Sequence, residues 1–180
     1  MLTSVEPLVY KAVGDIEYAE AEYNEGYGAD AEISANHKRR VYFVKKSTNS
    51  LPFFIIKDSF SSDKVRDFDI IWHYNVEKLH LLKNKAFCDE ITTLFAGDNG
   101  DISVFSGSEE PFRAWRSHSF TQGDFSPVPT VYYRLRGERA EVITAFIPNV
   151  NGECSVSCVE YENGIITVTY HSGECLVIDF

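Results

Sequence analysis

The chain has 180 residues, and 17 Lys+Arg against 27 Asp+Glu leave a formal net charge of −10, so the basic footprint that binds nucleic-acid phosphates is missing. Hydrophobic residues at 44% and charged residues at 24% are the balance of a globular domain with a sizeable core, not of a disordered chain. No run approaches the ~18 consecutive apolar residues of a membrane span, and Met1-Leu2-Thr3-Ser4-Val5-Glu6 has no basic segment leading into an apolar one. The expectation is a soluble single domain over 1–180 with neither nucleic acid nor membrane as partner.

In chain order, short alternating or apolar runs at 17–23, 39–46, 52–58, 67–75, 91–95, 101–106, 112–117, 130–136, 140–147, 155–161, 164–170 and 174–179 read as strands. Val41-Tyr42-Phe43-Val44, Phe53-Phe54-Ile55-Ile56 and Val131-Tyr132-Tyr133 carry the β-branched and aromatic side chains that suit a pleated, half-buried surface. Asn24-Glu25-Gly26, Asp98-Asn99-Gly100-Asp101, Asn151-Gly152, Asn163-Gly164 and Ser172-Gly173 punctuate them as turns. Only 76–86 has a spacing that could be helical. The last three runs, reaching from Val156 to Phe180, predict a β-meander whose Asn163-Gly164 turn supplies the positive φ of a tight hairpin. About a dozen strands predict an all-β fold, a large antiparallel two-sheet β-sandwich, with a barrel as the alternative.

Cys88, Cys154, Cys158 and Cys175 lack the paired short spacings of a zinc ribbon and read as free thiols or one disulfide. The chain has no G-x-S-x-G elbow, no G-x-G-x-x-G and no phosphate-binding P-loop. Three polar residues stand out on predicted strands. Period two puts His37 on the face of Arg39, Val41 and Phe43; Asp58 on that of Phe54 and Ile56; and His73 on that of Ile71 and Asp69. Carried on three successive strands, His37, Asp58 and His73 would form the ligand set of an open divalent site, with zinc favoured and manganese or calcium possible. Ordinary hydrogen-bonded residues at strand ends are the competing reading. The basic run Lys38, Arg39, Arg40, Lys45, Lys46 is either a surface for an anionic ligand, with Arg39 the candidate substrate contact, or a solvated strand face. Arg113 and Arg116 around Trp115 could stack a sugar and hold its carboxylate, unless Trp115 belongs to the core.

The blocks Ile16-Glu17-Tyr18-Ala19-Glu20-Ala21-Glu22-Tyr23-Asn24-Glu25-Gly26-Tyr27-Gly28, His37 to Lys45, Phe53 to Asp58 and Ile71-Trp72-His73 together resemble the C-terminal region of heparinase II/III-like polysaccharide lyases. Phe125 to Tyr133 and Ile143 to Pro148 look like that family's later strands, so the likeness covers about 16 to 148. The resemblance implies a β-sandwich that follows an N-terminal α/α-toroid in a longer polypeptide. It implies β-elimination of an anionic, uronic-acid polysaccharide by a Tyr and a His, most catalytic groups lying on the toroid. By motif, His37, Asp58 and His73 fall where a structural metal is implied, and His37 is the catalytic candidate. The toroid's Tyr has no counterpart here, and the stretch where some members carry a further His reads Ile33-Ser34-Ala35-Asn36. The expectation is a cleft-lining domain that is inactive alone; the alternative is a non-catalytic carbohydrate-binding or structural module.

Overall fold

The computed structural model describes residues 8–45, 49–118 and 123–179; Lys46 of the basic run and Phe180 at the end of the meander lie outside them. The described residues form sixteen strands and no helix: β1 (Val9–Val13), β2 (Ile16–Tyr23), β3 (Ala35–Val44), β4 (Phe53–His73), β5 (His80–Leu82), β6 (Lys85–Phe87), β7 (Ile91–Gly97), β8 (Asp101–Phe105), β9 (Ser108–Glu109), β10 (Phe112–Arg113), β11 (Trp115–Ser117), β12 (Phe125–Pro127), β13 (Thr130–Pro148), β14 (Val156–Glu162), β15 (Ile165–Tyr170) and β16 (Cys175–Ile178). Nine of them make one sheet in the order β1-β2-β3-β4-β13-β7-β6-β5, with β8 also on β13. β14-β15-β16 form a separate meander, and β9-β10 and β11-β12 are two-stranded ribbons. The antiparallel all-β expectation holds.

Two strands set the architecture. The runs expected separately at 52–58 and 67–75 are one strand, β4, and those at 130–136 and 140–147 are one strand, β13. Ser59 to Arg66 reads as a break because it is polar, yet it stays extended. Between the two halves the register slips: Arg66 pairs with Gly137 and Ser61 with Arg139, so residues 62–65 face Glu138 alone. Such a bulge bends the strand pair and sharpens its twist. Gly137 is needed at this corner, because a Cβ there would lie 2.7 Å from the Arg139 carbonyl oxygen.

The corner folds the large sheet over on itself. Phe60 before the bend stacks on Phe68 after it, with ring centroids 4.8 Å apart, and Trp72 meets Phe146 edge-on at 4.9 Å. Phe68, Ile70, Val131 and Leu135 of the folded-over half share a core with Phe95, Ala140 and Val142 of the other half. The opposite face of that other half, with Tyr42, Val44, Phe53, Ile55 and Ile143, is covered by Val159, Ile166, Val168 and Ile178 of the meander. Each fully buried Ile or Val of this second core contributes about 1.5–3 kcal/mol. The meander turns at Asn163 and Gly164, with φ of 52° and 86°, as the Asn-Gly pair predicts.

Two local differences have physical causes. The helical spacing of 76–86 is overridden by a hairpin: Lys83 takes φ 54°, and Asn84 uses its side chain and main chain on Phe95. The ribbon pair β9–β12 replaces the single run expected at 112–117, because Ala114, at φ 63°, turns the chain between Arg113 and Trp115. All four cysteines are free.

Candidate functional site

The site is built across the β3–β4 pair, where Arg39 and Asp58 are direct cross-strand partners and His37 lies opposite Phe60. Alternation along β4 sends Phe53 and Ile55 to the meander core and leaves Asp58 on the face that the folded-over half covers. Asp58 is fully buried. A carboxylate there needs compensation, and it has three bonds. His37 Nε2 is 2.6 Å from Oδ1, Arg39 Nε donates to Oδ1 at 2.7 Å, and Arg39 Nη2 donates to Oδ2 at 3.1 Å. Burial pushes the Asp58 carboxyl up, but the bonds from His37 and Arg39 outweigh it and hold it below the usual carboxylate range.

An ionised Asp58 only accepts, so the proton at this contact belongs to His37 Nε2. That tautomer leaves Nδ1 of a neutral His37 as the nitrogen able to take a proton. The imidazole is held flat against Phe60, centroids 4.5 Å apart and planes 12° apart, and Phe60 in turn lies on Phe68. Arg39 is pinned from the other side by Trp72, whose ring lies 4.9 Å from the guanidinium carbon, a cation–π contact. Both groups open into a cleft of about 670 Å³ whose walls come from the two halves of the bend: Tyr27, His37, Arg39 and Phe60 on one side, Asp67, Ile71 and Arg136 on the other. Burial, with Tyr23 beside it, pushes the Tyr27 phenol up, so it stays protonated at neutral pH.

The structure brings His37, Arg39 and Asp58 together and leaves His73 out. Asp58 and His73 lie on one strand, not on successive ones. His73 shares its face with Ile71 and Asp69, as alternation predicts, and although both of these line the cleft, His73 lies beyond its lining and bonds Thr130 instead. The Thr130 hydroxyl donates to the Val128 carbonyl at 3.0 Å and accepts from His73 Nδ1 at 2.8 Å. Among the described residues no three His, Cys, Asp or Glu converge on one point. The donor set at Asp58 does not fit zinc, manganese or calcium, because a bidentate arginine occupies the carboxylate and His37 presents N–H to it. No chemistry is therefore routed through a metal here.

The other candidates separate as well. Lys38, Arg40 and Lys45 pair with Glu20, Glu22 and Glu17 of the neighbouring strand, so apart from Arg39 the described part of the basic run is cross-strand ion pairing. None of Arg113, Trp115 and Arg116 lines the His37 cleft. Arg113 stacks 3.3 Å over Phe105, Trp115 Nε1 donates to the Ser108 carbonyl at 2.9 Å, and Arg116 bonds the Asn75 side chain. Trp115 is half-buried in the ribbons, not in either core. Sequence reasoning did not select Tyr27 or Arg136 for the cleft: Tyr27 reaches it from the β2–β3 connection, where Tyr23 pairs with His37, and Arg136 only because β13 bends with β4.

No protein-family model matches the chain, and no curated protein matches it in sequence. Solved structures do. A heparinase III gene product superposes with TM-score 0.67 at 12% identity over 98% of this chain, and its form with methylated lysines gives 0.69 at 14% over 96%. In both cases the chain spans only 27% of the neighbour. The chain thus has the all-β fold of one quarter of a heparinase III.

Proposed function

We propose that this chain is the β-sandwich domain of a heparinase II/III-like polysaccharide lyase, that its cleft receives a uronic-acid polysaccharide, and that cleavage is completed by a domain outside these residues. The observation that carries the reading is His37: an imidazole fixed by a buried carboxylate, with one nitrogen left as proton acceptor, opening into the cleft. The likeness of fold to heparinase III supports the class of protein. In β-elimination a base removes the proton next to the uronate carboxylate and an acid protonates the departing oxygen. His37 suits the first role or its support, and the protonated Tyr27 phenol on the same cleft suits donation. Arg39 spends Nε and Nη2 on Asp58, which leaves Nη1 for a sugar hydroxyl or carboxylate.

The test is direct binding of uronic-acid polysaccharides to the chain, followed by ultraviolet absorbance for an unsaturated uronide. The expected result is binding, weakened in His37→Ala and Arg39→Ala, without cleavage by the chain alone. Absence of binding overturns the cleft reading, and cleavage by the isolated chain overturns the need for a second domain. A non-catalytic sugar-binding module is the second reading, favoured by the exposed aromatic side chains of the β9–β12 ribbons. It predicts binding lost in Trp115→Ala and unchanged in His37→Ala.

A further inference from the structure

We infer that the polysaccharide site is not confined to the cleft but continues as a track along the outer face of the folded-over half, ending on an aromatic platform formed by Phe112, Trp115 and Phe125. This rests on the cleft reading above and extends it from a single pocket to a chain-length-sensitive site.

Alternation fixes what the outer face carries. On β13, Tyr132, Arg134 and Arg136 point away from the core that holds Val131, Tyr133 and Leu135. Arg136 belongs to the cleft wall, and Thr130, at the far end of the strand, lies six residues away, about 20 Å. Arg134 and Arg136 are paired with Asp69 and Asp67 through some of their N–H groups only, and both remain exposed. Two arginines held in place by carboxylates, with spare N–H donors facing water, suit the hydroxyls of a sugar chain. Beyond them Tyr132 meets Phe105 edge-on, and Arg113 lies across both rings, 3.3 Å from Phe105 and 5.4 Å from Tyr132.

At the far end, Phe112 and Trp115 lie with planes 4° apart and centroids 5.6 Å apart, and Phe125 stands edge-on to Phe112 at 5.9 Å. Phe112 is 65% exposed. These rings do not complete a core, yet the ribbon under them is fixed. The Trp115 indole is tied to the Ser108 carbonyl, and the buried Ala114, strained at φ 63°, has a carbonyl that accepts from Gly107 at 2.9 Å and Val128 at 3.0 Å. Strain of this kind persists only where the surroundings over-determine it. The exposed side of this ring stack, led by Phe112 and braced by Trp115 and Phe125, offers the apolar face of a pyranose a preorganised surface.

The experiment is titration of the full chain with size-fractionated heparin and alginate fragments, from disaccharide to decasaccharide, for the wild type, Phe112→Ala and Trp115→Ala. The exposed Phe112 can be truncated without touching either core. The expected result is that the decasaccharide binds at least about tenfold more tightly than the disaccharide, and that Phe112→Ala and Trp115→Ala remove most of this gain while leaving disaccharide affinity unchanged. Affinity that does not rise with length, or a gain that survives both substitutions, overturns the track and leaves the cleft standing. Absence of binding at every length overturns the cleft reading and the track with it.

Discussion

Replacing Asp58 by Asn tests the centre of the site. The side chain keeps its shape and loses its charge, so one oxygen still accepts while an amide N–H₂ is forced against Arg39 or His37. Removing one member of a buried charge pair costs about 3–5 kcal/mol when the remaining charge stays buried. Here Arg39 is 38% exposed and water can take over part of the carboxylate's role, so about 2–3 kcal/mol is expected. For a domain of this size that lowers Tm by about 4–12 °C. The pH dependence follows from the direction of the shift: the folded Asp58 carboxyl is held below its usual value of 3.8. Its contribution is therefore fully present above that value and is lost as pH falls through the folded pKa. Urea unfolding of the wild type and Asp58→Asn, at neutral pH and at successively lower pH below 3.8, should show curves that differ at neutral pH and converge in acid. Equal stability at neutral pH, within about 0.5 kcal/mol, would refute the argument that this buried carboxylate anchors Arg39 and His37 of β3 on β4.

Gly137→Ala places a Cβ 2.7 Å from the Arg139 oxygen and is expected to cost about 1–3 kcal/mol, read as a lower urea midpoint. Trp72→Ala removes the platform under Arg39 and the edge contact with Phe146 and should cost about 3–5 kcal/mol, by the same assay. Tyr161→Phe removes the hydroxyl that donates to Glu141 at 2.5 Å, a bond that ties the meander to the large sheet; about 1–2 kcal/mol is expected. Burial raises the Glu141 carboxyl, while Tyr161, Ser59 and Lys57 lower it further, so the stability it contributes is present at neutral pH and fades in acid. Elemental analysis after dialysis against zinc, manganese and calcium should give metal contents unaffected by His37→Ala or His73→Ala; a stoichiometric metal lost in both would refute the assignment of Asp58 to Arg39.

How much of this was legible in the sequence depends on range. Period-two alternation placed His37 with Arg39, Asp58 with Ile56, and His73 with Ile71 correctly, because side-chain direction along a strand is a local property. The Asn163-Gly164 hairpin was legible for the same reason. What alternation cannot say is which of two faces becomes the interior after a sheet folds over. His73 therefore looked like a companion of Asp58, although Trp72, its neighbour, is the residue that reaches Arg39. The polar run Ser59 to Arg66 reads as a loop, whereas its residues continue β4 round the corner, and only Gly137 on the opposite strand hints at the bulge. The Arg39–Asp58 pair was open to inference from cross-strand partnering, had the β3–β4 register been fixed first. The aromatic ribbon was half visible: Trp115 stood out, while Phe112 and Phe125 looked like ordinary strand residues.

The corner in β4 and β13 also governs how the cleft can behave. One wall is built on β3 and the start of β4 and the other on the far half of β4 with β13, neighbours in one hydrogen-bonded sheet, so they cannot separate as lobes on a hinge without breaking the ladder between them. A ligand must thread in along the trough or settle from the open side, and the aperture it meets is set at folding. Hydrogen exchange should find the amides of both walls among the slowest in the molecule, as expected of a mould and not of a jaw.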